Sequence, residues 1–204
     1  MKKLVALLVF CFCFGSMAMA NELEGNGTLT EHTIKHKGIE YSYYLYTPKN
    51  LPKGAPLVIF SHGYGANNVP ATGFGFNPIA DKNGFAICYP RGPKDFRDMP
   101  CWAVGYSFHT EKGWEGDPDN KDGWGEYIAV PRAVSYWAAV NRCTHEICEE
   151  LPLINNKVIA HRYVDGINGN QVWLYEVVGG THSWADKDMN PAAEIWKFFS
   201  LYLK

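Results

Sequence analysis

Beyond residue 20 the chain has no apolar run of the roughly 20 residues that a membrane-spanning helix needs. It also has no cluster of lysine and arginine. Its 19 basic and 21 acidic side chains leave a formal charge of −2, so no electrostatic footprint for a nucleic-acid backbone or an anionic membrane surface is expected. Internal repeats and low-complexity tracts are lacking, which excludes a solenoid. Metal-ligand spacing is equally scarce. Cys143-x-His145-x-x-Cys148 offers three ligands with no fourth nearby, and His32 and His36 fall in a stretch that reads as extended. Asp117-Pro118-Asp119-Asn120-Lys121-Asp122-Gly123 is rich in oxygen ligands but fits no EF-hand, so it reads as a solvated loop. No metal and no cofactor is expected.

What is present begins with a segment of export type. Lys2 and Lys3 precede an apolar stretch from Leu4 to Phe14, and Ala18-Met19-Ala20 is a small-x-small cleavage pattern. A secreted or periplasmic protein starting at Asn21 is the expectation. Cys11 and Cys13 follow the bulky Phe10 and Phe12, which speaks against a lipid anchor there. Residues 21–204 are enough for a single domain with a substantial core. Four cysteines remain, Cys88, Cys101, Cys143 and Cys148. In an oxidising compartment they allow three full pairings; Cys143 with Cys148, closing a short loop, is the first choice. Cys88, within Phe85-Ala86-Ile87-Cys88-Tyr89, reads as a buried thiol. Aromatic residues make up 15% of the chain, with seven tryptophans, a content that suits either a packed core or a sugar- or aryl-binding surface.

Hydropathy patterning predicts a hairpin over Thr33–His36 and Ile39–Tyr46 with its turn at Lys37-Gly38. Leu57–Phe60 is a continuous apolar run, the pattern of a strand buried on both faces. A short helix over Asn77–Asn83 and a second buried strand over Phe85–Tyr89 follow. This order points to an α/β sheet with crossover helices. Arg91 to Tyr127 carries Gly, Asp, Pro and Trp without periodicity, and loops of that length are usually functional. A helix opened by proline is predicted over Pro131–Arg142, with Ala133, Val134, Trp137, Ala138 and Val140 on its apolar side. Two strands, Lys157–Val164 and Gln171–Val178, flank the polar turn Asp165-Gly166-Ile167-Asn168-Gly169-Asn170. A last helix spans Pro191–Leu203.

Several of these stretches, in order, resemble one family. They are Tyr43-Tyr44-Leu45-Tyr46-Thr47-Pro48; Pro56-Leu57-Val58-Ile59-Phe60-Ser61-His62-Gly63-Tyr64-Gly65-Ala66-Asn67; Ile79-Ala80-Asp81-Lys82-Asn83-Gly84-Phe85; and Cys88-Tyr89-Pro90. Cys101-Trp102, Tyr136-Trp137 with Asn141-Arg142-Cys143, and Gly179-Gly180-Thr181-His182-Ser183-Trp184 complete the set. Together they resemble the secreted polyhydroxybutyrate depolymerase-like and feruloyl-esterase-like α/β-hydrolases. The resemblance implies an α/β fold, an α/β-hydrolase-like mostly parallel sheet with flanking helices. It also implies a serine-type carboxylic ester hydrolase acting on feruloyl or acetyl esters of plant polysaccharide or on short polyesters, while the charge balance leaves no nucleic-acid or membrane partner expected. In that chemistry a serine attacks the ester carbonyl, a histidine takes its proton and an acid orients the histidine. His182 matches the base. Gly63 and Tyr64 match the turn that gives a backbone N–H to the oxyanion hole.

One departure stands out: the chain contains no G-x-S-x-G nucleophile elbow. Only Ala103 to Ser135 lies where such a family places its elbow serine and an acid-bearing strand. The sheet is therefore expected to be internally truncated by about 100 residues, judged from ordinary element and loop lengths, with the join near 119–123. Ser107, in Gly105-Tyr106-Ser107-Phe108-His109, is the weak remaining candidate for a nucleophile. Asp117, Asp119, Asp122 and Asp165 are each candidate partners for His182. His62 is expected to brace its loop by hydrogen bonding. Impaired ester hydrolysis is one expectation; the alternative is a non-catalytic exported carbohydrate-binding protein using Trp102, Trp114 and Trp124.

Overall fold

A computed structural model of the chain describes residues 25–66, 73–95, 98–102 and 128–203. It divides into two compact units, one within Met1–Glu115 and the other within Gly116–Tyr202.

The first unit is built on a four-stranded sheet in the order β1-β2-β4-β3. Strands β1 (Thr28–His36) and β2 (Ile39–Thr47) form the predicted hairpin, extended by five residues at its start. Lys37 and Gly38 both take positive φ, 49° and 84°, the pair of left-handed residues that lets a two-residue turn match the twist of its strands. Strand β2 pairs antiparallel with β4 (Ala86–Pro90), and β4 pairs parallel with β3 (Leu57–Ile59). Helix α1 (Phe76–Asn83) lies in the connection between β3 and β4 and stops at Gly84, whose N–H bonds the Ala80 carbonyl at 2.8 Å.

The core gathers on β4 and the residue before it: Phe85, Ile87 and Tyr89 are buried, with Phe76 and Ala80 of α1. Phe60 stacks on Phe74 at 5.3 Å and meets Phe76 and Tyr89 at 5.3 and 5.8 Å. Buried hydroxyls are satisfied. Tyr89 donates to Asn77 Oδ1 at 2.7 Å; Tyr46 donates to the Asp81 carboxylate at 2.8 Å and accepts from the Gly27 amide at 2.7 Å. Burial, then the Asp81 bond, pushes the Tyr46 phenol up to about 12.

The second unit holds α2 (Val130–Val140), a three-stranded antiparallel sheet of β5 (His145–Glu150), β6 (Val158–Val164) and β7 (Val172–Val177), and α3 (Pro191–Ser200). Pro191 opens α3, and Asn190 caps it by accepting from the Ala193 amide at 3.0 Å. One sheet face packs on α3: Trp173 meets Phe198 at 5.4 Å, and Tyr175 donates to Glu194 at 2.8 Å.

This arrangement corrects the expected fold. The sheets are small and mostly antiparallel, not the mostly parallel sheet of an α/β-hydrolase. The reason is connection length. A parallel pair needs a crossover of a dozen or more residues, and among the described strands only β3 to β4 has one; the two-residue turn at Lys37-Gly38 and the short loops around β6 force their strands back antiparallel. The expected double burial of Leu57–Phe60 also fails. Val58 is buried, but Leu57 and Ile59 are 56% and 66% exposed on a strand paired along one edge. In α2 the expected apolar side is buried only at Ala138, while Trp137 and Val140 lie exposed. Strand β5, with every residue exposed, has no counterpart in the sequence-based expectation.

Candidate functional site

In the first unit the chain leaves β3 and turns at His62-Gly63-Tyr64-Gly65, and residues within 91–95 and 98–102 are hydrogen-bonded along it. The Gly92 amide donates to His62 Nε2 at 2.9 Å. Since Nε2 accepts, the ring proton sits on Nδ1, which donates to the Gly63 carbonyl at 2.7 Å. The Trp102 indole N–H donates to the His62 carbonyl at 2.8 Å and its ring lies 4.9 Å from the imidazole. The Gly65 amide donates to the Pro100 carbonyl at 2.8 Å, and the Tyr64 hydroxyl to Asp95 Oδ2 at 2.7 Å. Asp95 is buried and also accepts from the Met99 amide at 3.0 Å.

Two consequences follow for the predicted residues. Both nitrogens of buried His62 are engaged within the loop, so it braces the turn, as expected, and is not placed to move a proton. Gly63 is exposed, and among the described residues a side chain added there would meet nothing within 4 Å. A backbone held from beneath yet open above allows the close approach that amide recognition of a carbonyl oxygen requires. Gly92 is confined in the opposite way, because a Cβ there would run into the Cys101 carbonyl and come within 3.3 Å of His62 Nε2.

His182 lies in the second unit, on the turn after β7. Gly179 takes φ 74° and the Gly180 amide closes on the Val177 carbonyl at 3.0 Å. Past the histidine, buried Asp188 anchors the same connection by accepting from Asn155 Nδ2 at 2.9 Å and the Asn156 amide at 3.0 Å, bonds that hold its carboxyl below the usual range. His182 itself is exposed, and among the described residues no hydrogen bond or ion pair engages its imidazole. Asp165, one of its candidate partners, instead pairs with His145 at 2.9 Å. Asp117, Asp119 and Asp122, together with Ser107, Trp114 and Trp124, lie outside the described residues. Among the described serines none is hydrogen-bonded to a histidine; Ser135, for instance, donates to the Pro131 carbonyl.

The thiols also separate. Cys143 and Cys148 are free, Cys143 turned to the Asn170 carbonyl at 3.8 Å and Cys148 toward the sheet, so the expected bridge between them is not formed. Cys88 is half-buried, and burial pushes its thiol up.

A grouping that sequence reasoning missed lies on the β5-β6-β7 sheet. Glu146 and Cys148 sit two apart on β5 and share a face, and the register sets Cys148 opposite His161. His161 Nδ1 is 2.9 Å from Glu146 Oε1 and 3.4 Å from Cys148 Sγ; Nε2 is 3.4 Å from Glu176 Oε2. The hydrogen bond with Glu146 raises the His161 imidazole and lowers the Glu146 carboxyl from their ordinary values. No spacing signal pointed here, because the residues meet only through strand pairing.

No family model matches this chain, and no curated protein matches it. Among the described residues no helix is long and apolar enough to cross a membrane.

Proposed function

We propose that this chain is an exported protein that recognises carboxylic esters through the turn at Gly63 and Tyr64, allied by its motifs to secreted serine esterases, with hydrolysis impaired because its sequence has no elbow serine. The observation that carries this reading is the turn itself: His62 to Gly65 is held by the Gly92 amide, the Trp102 indole, the Pro100 carbonyl and Asp95, while Gly63 stays open to a ligand. A fixed backbone needs little reorganisation to receive a carbonyl oxygen, and one such donor is worth on the order of 3 kcal/mol where charge develops on that oxygen. The ordered motifs from Tyr43 to Trp184 and the export-type pattern of residues 1–20 support the substrate class and the location. The carbohydrate-binding alternative gains nothing from Trp102, whose indole is engaged with His62.

The test is a fluorescence titration of the purified protein with methyl ferulate, run beside hydrolysis of p-nitrophenyl acetate. Saturable binding is expected, lost in Gly63→Val, with turnover of p-nitrophenyl acetate that stays near buffer background. Absence of binding to the wild-type protein, or binding unchanged in Gly63→Val, overturns the proposal.

A further inference from the structure

We propose that Glu146, Cys148 and His161 form a binding site for a zinc-class divalent cation on the β5-β6 face, with Glu176 as the group that orients the imidazole.

The donor atoms converge from two neighbouring strands. All three lie within 4.8 Å of one another: Nδ1 to Oε1 is 2.9 Å, Sγ to Nδ1 3.4 Å and Sγ to Oε1 3.4 Å. Ordinary zinc bond lengths in a tetrahedron set these edges at about 3.3 Å for N to O and about 3.5 Å for S to either. The free arrangement thus needs its carboxylate to move by only a few tenths of an ångström, within the reach of an exposed glutamate. A thiol, an imidazole and a carboxylate together suit a borderline-soft ion, whereas calcium and magnesium call for oxygen alone. Three protein ligands leave a fourth position for water.

The second carboxylate strengthens the assignment. A histidine bound to a metal through one nitrogen usually gives its other N–H to a carboxylate, which fixes tautomer and ring angle. Glu176 stands at Nε2 in that place, 3.4 Å away, on the third strand of the sheet. Strand β5 is exposed at all six positions and carries Glu146, Glu149 and Glu150. A cation shared by Glu146, Cys148 and His161 would cross-brace it to β6 and offset that acidic charge.

The experiment is a Co2+ titration of the purified full chain in a non-thiol reductant, followed by Zn2+ competition and thermal melting. One equivalent of Co2+ is expected to produce the near-ultraviolet thiolate-to-cobalt absorption and to be displaced by Zn2+, which raises the melting temperature. Cys148→Ser should abolish the absorption, Cys143→Ser should leave it intact, and Glu176→Gln should weaken Zn2+ binding about 10-fold with the absorption retained. Circular dichroism of each variant confirms its fold. Absorption that survives Cys148→Ser, absorption that disappears in Cys143→Ser, or failure to bind Co2+ stoichiometrically overturns the proposal.

Discussion

Replacing Tyr64 by phenylalanine removes one hydroxyl and leaves the ring, so it isolates the bond to Asp95. That bond is 2.7 Å long and ends on a carboxylate that is only 7% exposed. Hydrogen bonds to charged groups contribute about 1.5–3 kcal/mol. Asp95 keeps the Met99 amide at 3.0 Å, which places the expected loss near the middle of that range, about 2 kcal/mol. Because the chain divides into two units, a single global transition is a poor gauge. Hydrogen exchange of residues 57–66, 91–95 and 98–102 reads the opening locally, and about 2 kcal/mol corresponds to exchange roughly 30-fold faster. Asp95→Ala, which also removes the acceptor for the Met99 amide, should do at least as much damage, and the double variant should add little beyond Asp95→Ala, since both changes break the Tyr64–Asp95 bond. Exchange within about twofold of wild type in Tyr64→Phe, or strictly additive effects of the two changes, would refute the view that Asp95 clamps the turn.

Other expectations follow from the same geometry. Gly92→Ala should destabilise the first unit by about 1–3 kcal/mol, because the added methyl collides with the Cys101 carbonyl; loss of amide protection at Gly65 with no change in α3 is the reading. Alkaline pH should weaken the fold: Tyr46 and Tyr175 hold their protons to about 12, against about 10 in an unfolded chain. Their contribution is full below about pH 10 and is lost as pH rises through about 12. Urea midpoints measured across that interval should fall, and fall less steeply in Tyr46→Phe. Asn190→Ala removes the acceptor for the Ala193 amide and should cost about 1 kcal/mol, seen as faster exchange at the start of α3.

Local elements were legible in the sequence where a local cause sets them. The Lys37-Gly38 turn, the helices beginning at Phe76 and Pro191, and strands β4, β6 and β7 all follow from turn chemistry, capping and apolar periodicity within a few residues. The bracing role of His62 was legible as well, since it sits directly after a strand in a glycine-rich turn. Strand direction was not. An apolar run such as Leu57–Phe60 reads the same whether its neighbours are parallel or antiparallel, and whether one face or both are covered; pairing with β4 along a single edge decided that Leu57 and Ile59 stand exposed. Strand β5 escaped because His145–Glu150 is acidic and exposed throughout, with its conformation set by hydrogen bonds to β6. For the same reason the meeting of Glu146, Cys148, His161 and Glu176 was hidden. Residue type and spacing within one segment are properties of the chain, but which side chains face one another across a ladder depends on register, and register is fixed only when the strands pair.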